Sequence, residues 1–105
     1  MGPKTEELIG TLEQLATLLE SDGDTHWSLW MRNARSRLLQ SDYSGIEYLL
    51  KAYGGMGSFN DVVLGQRFDG RVLSWKSDHV ALNEEFSKLR EKAAGLAHEI
   101  ERSQA

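Results

Sequence analysis

The stretch SDHVALNEEFSKLREKAAGLAHEI, residues 77–100, decides the fold class. Within it Leu82, Phe86, Leu89, Ala93, Leu96 and Ile100 recur at steps of four, three, four, three and four. That spacing lays all of them along one face of an α-helix. Ser77 or Asp78 stands where an N-cap is wanted. A helix of about 25 residues is about 38 Å long. The seam is too short for a long coiled coil and suits one strand of a helical bundle, with a short dimer seam as the alternative. Glu84 and Lys88 form a correctly oriented i,i+4 pair. Gly95 lies nearly opposite the seam, with Ala94 beside it. A glycine inside a helix costs about 1 kcal/mol relative to alanine. Two readings stay open at this spot: a second contact surface, or a tolerant position on a solvated face.

Upstream, Gly65 and Gly70 flank Gln66-Arg67-Phe68-Asp69, and Val72, Leu73 and Trp75 follow. A hairpin turning at Asp69-Gly70 is one reading of residues 65–76. An irregular connection is the favoured one. Before it, Gly54, Gly55 and Gly57 surround Met56 and end a short helix that carries Ile46, Leu49, Leu50 and Tyr53. Ser58 and Asp61 form an acidic capping box for a further short helix with Phe59, Val62, Val63 and Leu64. Closer to the N-terminus, Trp27, Trp30, Met31, Ala34 and Leu38 mark a helix from about Thr25 to Leu39, capped by Asp24. Arg32, Arg35 and Arg37 crowd its second half, where the helix dipole favours cations. Leu8, Leu12, Leu15 and Leu19 mark the first helix, opened by Pro3 and closed by Ser21-Asp22-Gly23-Asp24. The expectation is therefore an all-α fold. It is a single domain over residues 1–105, a bundle of four main helices plus one short helix after the glycine corner.

Composition narrows the function. The chain has 105 residues, 12 Lys and Arg against 16 Asp and Glu, a net charge of -4 and no cysteine. One core fits that length. Mild acidity argues against a general nucleic-acid binder, which needs a basic face. Thiolate metal sites and disulfides are excluded. The first residues form no hydrophobic block and no apolar run approaches about 20 residues, so neither a signal peptide nor a membrane span is expected. The expected location is cytoplasmic.

Chemistry-bearing patterns are sparse. His26, His79 and His98 are far apart and fit no helical zinc motif. Asp22-Gly23-Asp24 lacks the length of a calcium loop. Ser58 lacks the Gly-x-Ser-x-Gly frame. No catalytic residue, metal or cofactor is assigned. The corner Gly55, Gly57 and Ser58 is a candidate anion site, because free amides and a following helix start both favour negative charge. Helix capping explains the same residues more simply, and Gly57 stands where a phosphate-binding loop needs Lys.

The segment YGGMGSFNDVVLG, from Tyr53, carries a resemblance. With a Trp-containing helix before it and a Leu- and Glu-rich helix after it, it resembles a family of short bacterial proteins of unknown function. Their signature is Tyr-Gly-Gly-Met-Gly-Ser-x-Asn-Asp. The resemblance spans roughly Leu8 to Ile100, and its distinctive part is Tyr53 to Leu64. Small proteins of this type often stand beside toxin genes, which implies an immunity role and carries no catalytic residue over. The leading expectation is a non-catalytic protein-binding domain that neutralises a toxin by occlusion. Its candidate contacts are Glu13, Glu20, Asp22 and Asp24, joined by Met56 and Phe59 at the corner. Anion or small-molecule binding at the corner and self-assembly through the last helix are the alternatives.

Overall fold

The computed structural model describes residues 2–54, 57–70 and 72–104. Helix α1 spans Pro3–Ser21, α2 spans Thr25–Leu39, α3 spans Ser44–Leu50 and α4 spans His79–Gln104. A single 3-10 turn at Phe59–Asp61 and a hairpin, β1 Gln66–Asp69 with β2 Val72–Trp75, join α3 to α4. The fold is thus mainly helical with a small sheet, and the purely helical expectation is corrected at two places. The favoured irregular connection at 65–76 contains an antiparallel hairpin, with Gln66 opposite Trp75 and Asp69 opposite Val72. The alternative hairpin is the one adopted, but Asp69 is still paired with Val72, so the chain turns one residue later than an Asp69-Gly70 turn would place it, with Gly70 at φ +65°. The short helix after the corner shrinks to one turn, because the chain is already extended at Val62 (ψ 130°).

The helices form where their patterns place them. Asp24 caps α2 by accepting a hydrogen bond from the Trp27 amide at 2.9 Å. Gly23, at φ +83°, lets the Asp24 amide reach back to the Leu19 carbonyl at 2.9 Å and close α1. The end of α2 uses the same device with a less suitable residue. Ser41 takes φ +58°, and the Asp42 amide reaches the Arg37 carbonyl at 2.9 Å.

Helix α1 packs against α2 and α4, and α3 packs against α2 and α4. The core is one cluster drawn from all four helices and the connection: Leu8, Leu12, Leu15 and Leu19 meet Met31, Leu38, Leu49, Phe59, Leu64, Phe86 and Ile100. The α4 seam is spent here. Phe86, Ala93, Leu96 and Ile100 are buried within the monomer, with Leu82 and Leu89 packed alongside. Gly45 lets α3 approach α2 closely, since a Cβ there would lie 3.0 Å from the Ala34 carbonyl oxygen. Among the described residues no helix is long and apolar enough to cross a membrane.

Candidate functional site

Residues 62–65 contain no regular hydrogen-bonding pattern, so side chains from elsewhere must satisfy their backbone. Three do. Asn83 of α4 accepts from the Leu64 amide at 2.8 Å and donates to the Leu64 carbonyl at 2.8 Å, clasping the backbone of one residue on both sides of its Cα. Arg90, two turns further along the same face of α4, donates to the carbonyls of Phe59 at 3.0 Å and Val62 at 3.1 Å. Its guanidinium also lies over the Phe86 ring at 4.9 Å. Asp22, from the α1–α2 turn, accepts from the Gly65 amide at 2.9 Å and from the Lys76 ammonium at 3.0 Å. Gly65 has φ +83°, and a Cβ there would stand 2.7 Å from the His79 Cβ. Only glycine fits that junction. The Lys76 amide then closes the base of the hairpin on the Gly65 carbonyl at 2.8 Å.

These clasps hold the hairpin rigidly at its root while the strands pack chiefly on each other. Leu73 and Trp75 alternate onto the same face of β2. The Trp75 ring packs against His79 at a tilt of 31° with centroids 4.8 Å apart. The His79 Nδ1 lies 2.8 Å from the Lys76 carbonyl, which orients the ring. An open groove of about 710 Å³ runs along this junction, lined by Val63, Trp75, Val80, Asn83, Glu84 and Lys88 among others. Its apolar members stay exposed, Val63 48%, Trp75 47% and Val80 60%, and Leu73, on the Trp75 face of β2, is 56% exposed. Four exposed large apolar side chains, Val63, Leu73, Trp75 and Val80, gather here, and such clusters are less common than lone exposed apolar residues.

The residues singled out from sequence have other duties. Glu13 and Glu20 face Arg32, whose guanidinium reaches Glu13 at 2.9 Å and Glu20 at 2.6 and 2.7 Å. The hydrogen bonds from Arg32 hold the Glu20 carboxyl below its ordinary range. Asp22 is taken up by the clasp just described, and Asp24 by its cap. Phe59 was expected at a presented corner and is instead 0% exposed. Its ring meets Trp27, Tyr53 and Phe86 at 5.2, 5.5 and 5.5 Å, because the 3-10 turn rolls it inward. Met56 and Gly55 lie outside the described residues. Gly57, at φ +76°, donates its amide to the Asp61 carboxylate at 2.7 Å, so the chain's own anion occupies that donor. Ser58 is buried and its hydroxyl accepts from the Asn60 amide at 3.2 Å.

The remaining candidates separate in the same way. Trp27 and Trp30 are half-buried, and Trp30 donates to the Tyr48 carbonyl at 3.0 Å while stacking on its ring. Arg37 covers the other side of Tyr48, 4.3 Å from the ring centre. Tyr53 is largely buried, which pushes its phenol up, and it donates to the Arg90 carbonyl at 2.8 Å. His26, His79 and His98 stay apart in separate contacts. No group of three or more His, Asp or Glu that could hold a metal gathers among the described residues.

Sequence reasoning missed the clasp formed by Asp22, Asn83 and Arg90. Each is polar at a position that breaks no pattern, so only the fold reveals what it holds. The sequence signal closest to it was Gly65, whose neighbours in space cannot be read from its neighbours in the chain.

No curated protein and no solved structure matches this chain. A family match does exist, and it runs from the end of α1 through α2, α3, the glycine corner and the hairpin. The stretch from Tyr53 to Leu64 that carried the resemblance lies inside it. Residues 20–74, half of the chain, match the family described as "Domain of unknown function (DUF6966)", and the chain belongs to that family.

Proposed function

We propose that the chain is a non-catalytic protein-binding domain whose hairpin docks on a basic protein partner. The observation that carries this reading is the apolar face that Leu73 and Trp75 expose beside Val63 on a firmly rooted hairpin. A lone two-stranded hairpin is marginal in water. Covering apolar surface is worth about 25 cal/mol per Å². A projecting ribbon with such a face therefore gains stability when a partner covers it. The net charge of -4, with Asp78 and Glu85 exposed at the start of α4, favours a basic partner and speeds encounter with one.

The most concrete form of this reading is a bacterial immunity protein of the cytoplasm. It neutralises a cognate toxin by occluding a basic, nucleic-acid-binding cleft. Small size, mild acidity and the resemblance at Tyr53–Leu64 support that form. Co-expression with the product of the neighbouring gene tests it. Protection of the cells and co-purification of the two proteins are expected, with both lost in Leu73→Asp. Failure to protect sinks the immunity form, and binding that Leu73→Asp leaves intact sinks the hairpin as the docking element.

A further inference from the structure

The outward side of α4 is not used by the monomer. Val80, Glu84, Ser87, Lys88, Glu91 and Gly95 fall on one stripe at steps of one to four residues, turned away from the buried Phe86 and Ala93. Val80 at one end is 60% exposed. Gly95 at the other end is exposed, and a Cβ built there meets nothing within 4 Å. Between them Glu84 and Lys88 are exposed, one turn apart, and neither takes part in an ion pair among the described residues.

We propose that this stripe is the interface of a homodimer in which two α4 helices pack antiparallel about a two-fold axis. An axis passing between Glu84 and Lys88 brings Glu84 of each copy beside Lys88 of the other, and does so twice. A foreign helix would have to supply that charge order by its own sequence, whereas a second copy supplies it by symmetry. The chain carries -4 overall, so two copies repel at most orientations. At the centre of this stripe one acid and one base cancel, and there the copies meet without that repulsion. Ser87 is small and lies near the axis, which permits close approach. The same rotation sets Val80 of each helix level with residue 92 of its mate, within one turn of Gly95, so the bulky apolar end packs beside a position that lacks a side chain. Val80, Glu84, Ser87 and Lys88 of this stripe also line the groove beside Trp75, so a second copy and the hairpin's partner compete for this end of α4.

Sedimentation equilibrium of the full chain over a range of concentrations tests the proposal. A reversible monomer–dimer equilibrium is expected. Glu84→Lys should weaken it by about tenfold or more. The reversed pair, Glu84→Lys with Lys88→Glu, should recover the original affinity. Gly95→Gln fills the gap without crowding the monomer, so it should weaken the dimer while leaving the melting of dilute protein unchanged or higher. A monomer at every concentration overturns the proposal. So does a dimer that Glu84→Lys and Gly95→Gln leave intact, or a reversed pair that binds no better than Glu84→Lys alone.

Discussion

Ser41 and Gly23 perform the same backbone task at unequal cost. Both close a helix with a residue at positive φ, and only one of them is glycine. A side chain in the left-handed region costs about 1–2 kcal/mol. Ser41→Gly removes that cost and gives part of it back through a more flexible unfolded chain. A net stabilisation of about 0.5–1 kcal/mol is expected, read as a higher urea midpoint with an unchanged slope. Gly65 is the opposite case. Gly65→Ala combines the positive φ with a Cβ 2.7 Å from the His79 Cβ, so α4 or the hairpin must shift. A loss of about 2–4 kcal/mol is expected, with near-ultraviolet circular dichroism from Trp75 changing at the same time. A Gly65→Ala protein as stable as the parent would show that the junction is looser than its geometry implies.

At the scale of elements, the segment from Phe59 to Gly65 is held by polar side chains far more than by its own secondary structure. Asn83 satisfies both backbone polar groups of buried Leu64. Asn83→Leu keeps the volume and strands that amide and carbonyl. Leaving buried groups unpaired costs about 1–3 kcal/mol each. The expected result is a stability loss of about 2 kcal/mol or more, together with faster hydrogen exchange at the Leu64 amide while the α1 amides lose protection only to the extent of the global change. Unaltered exchange at Leu64 would mean that water replaces the clasp at no cost. The two corrected elements have one explanation. The 65–76 stretch becomes a hairpin because Asp22, Lys76 and Gly65 close its root, and Phe59 turns inward because Trp27, Tyr53 and Phe86 offer it a pocket of rings.

The whole molecule measures 49 × 23 × 19 Å, and its charges are arranged to hold the two longest N-terminal segments together. Arg32 of α2 bridges Glu13 and Glu20 of α1. Because Arg32 lowers the Glu20 pKa below the ordinary 4.5, the carboxylate form favours the folded state. That contribution is fully present above about pH 4.5 and fades as pH falls through the lower folded-state value. Arg32→Met should return the Glu20 titration to the ordinary carboxylate range, followed by NMR of the side-chain carboxyl carbon. It should also reduce the drop in melting temperature between neutral pH and pH 3. A Glu20 titration unmoved by Arg32→Met would show that another group sets it. The same pairing explains why part of the acidic N-terminal surface is less available than its composition implies: Glu13 and Glu20 are engaged by Arg32, Asp22 by Lys76 and Asp24 by a helix amide.

The helices were legible in the sequence because their signals are local. Apolar residues at helical spacing, Asp24 before α2 and Gly23 after α1 act within a turn or two of themselves, and their effects need no distant partner. Membership of the mainly helical class, the α2 span and the α1 close followed from that alone. What the sequence left undecided depends on groups that meet only after folding. The hairpin needs Asp22 from another turn, the Leu64 backbone needs Asn83 from the next helix, and the Phe59 ring needs three aromatic neighbours from separate parts of the chain. The exposed apolar face is decided the same way. Val63, Leu73, Trp75 and Val80 read as ordinary apolar residues in the chain, and only the packing of α4 shows which of them the core had no room to cover.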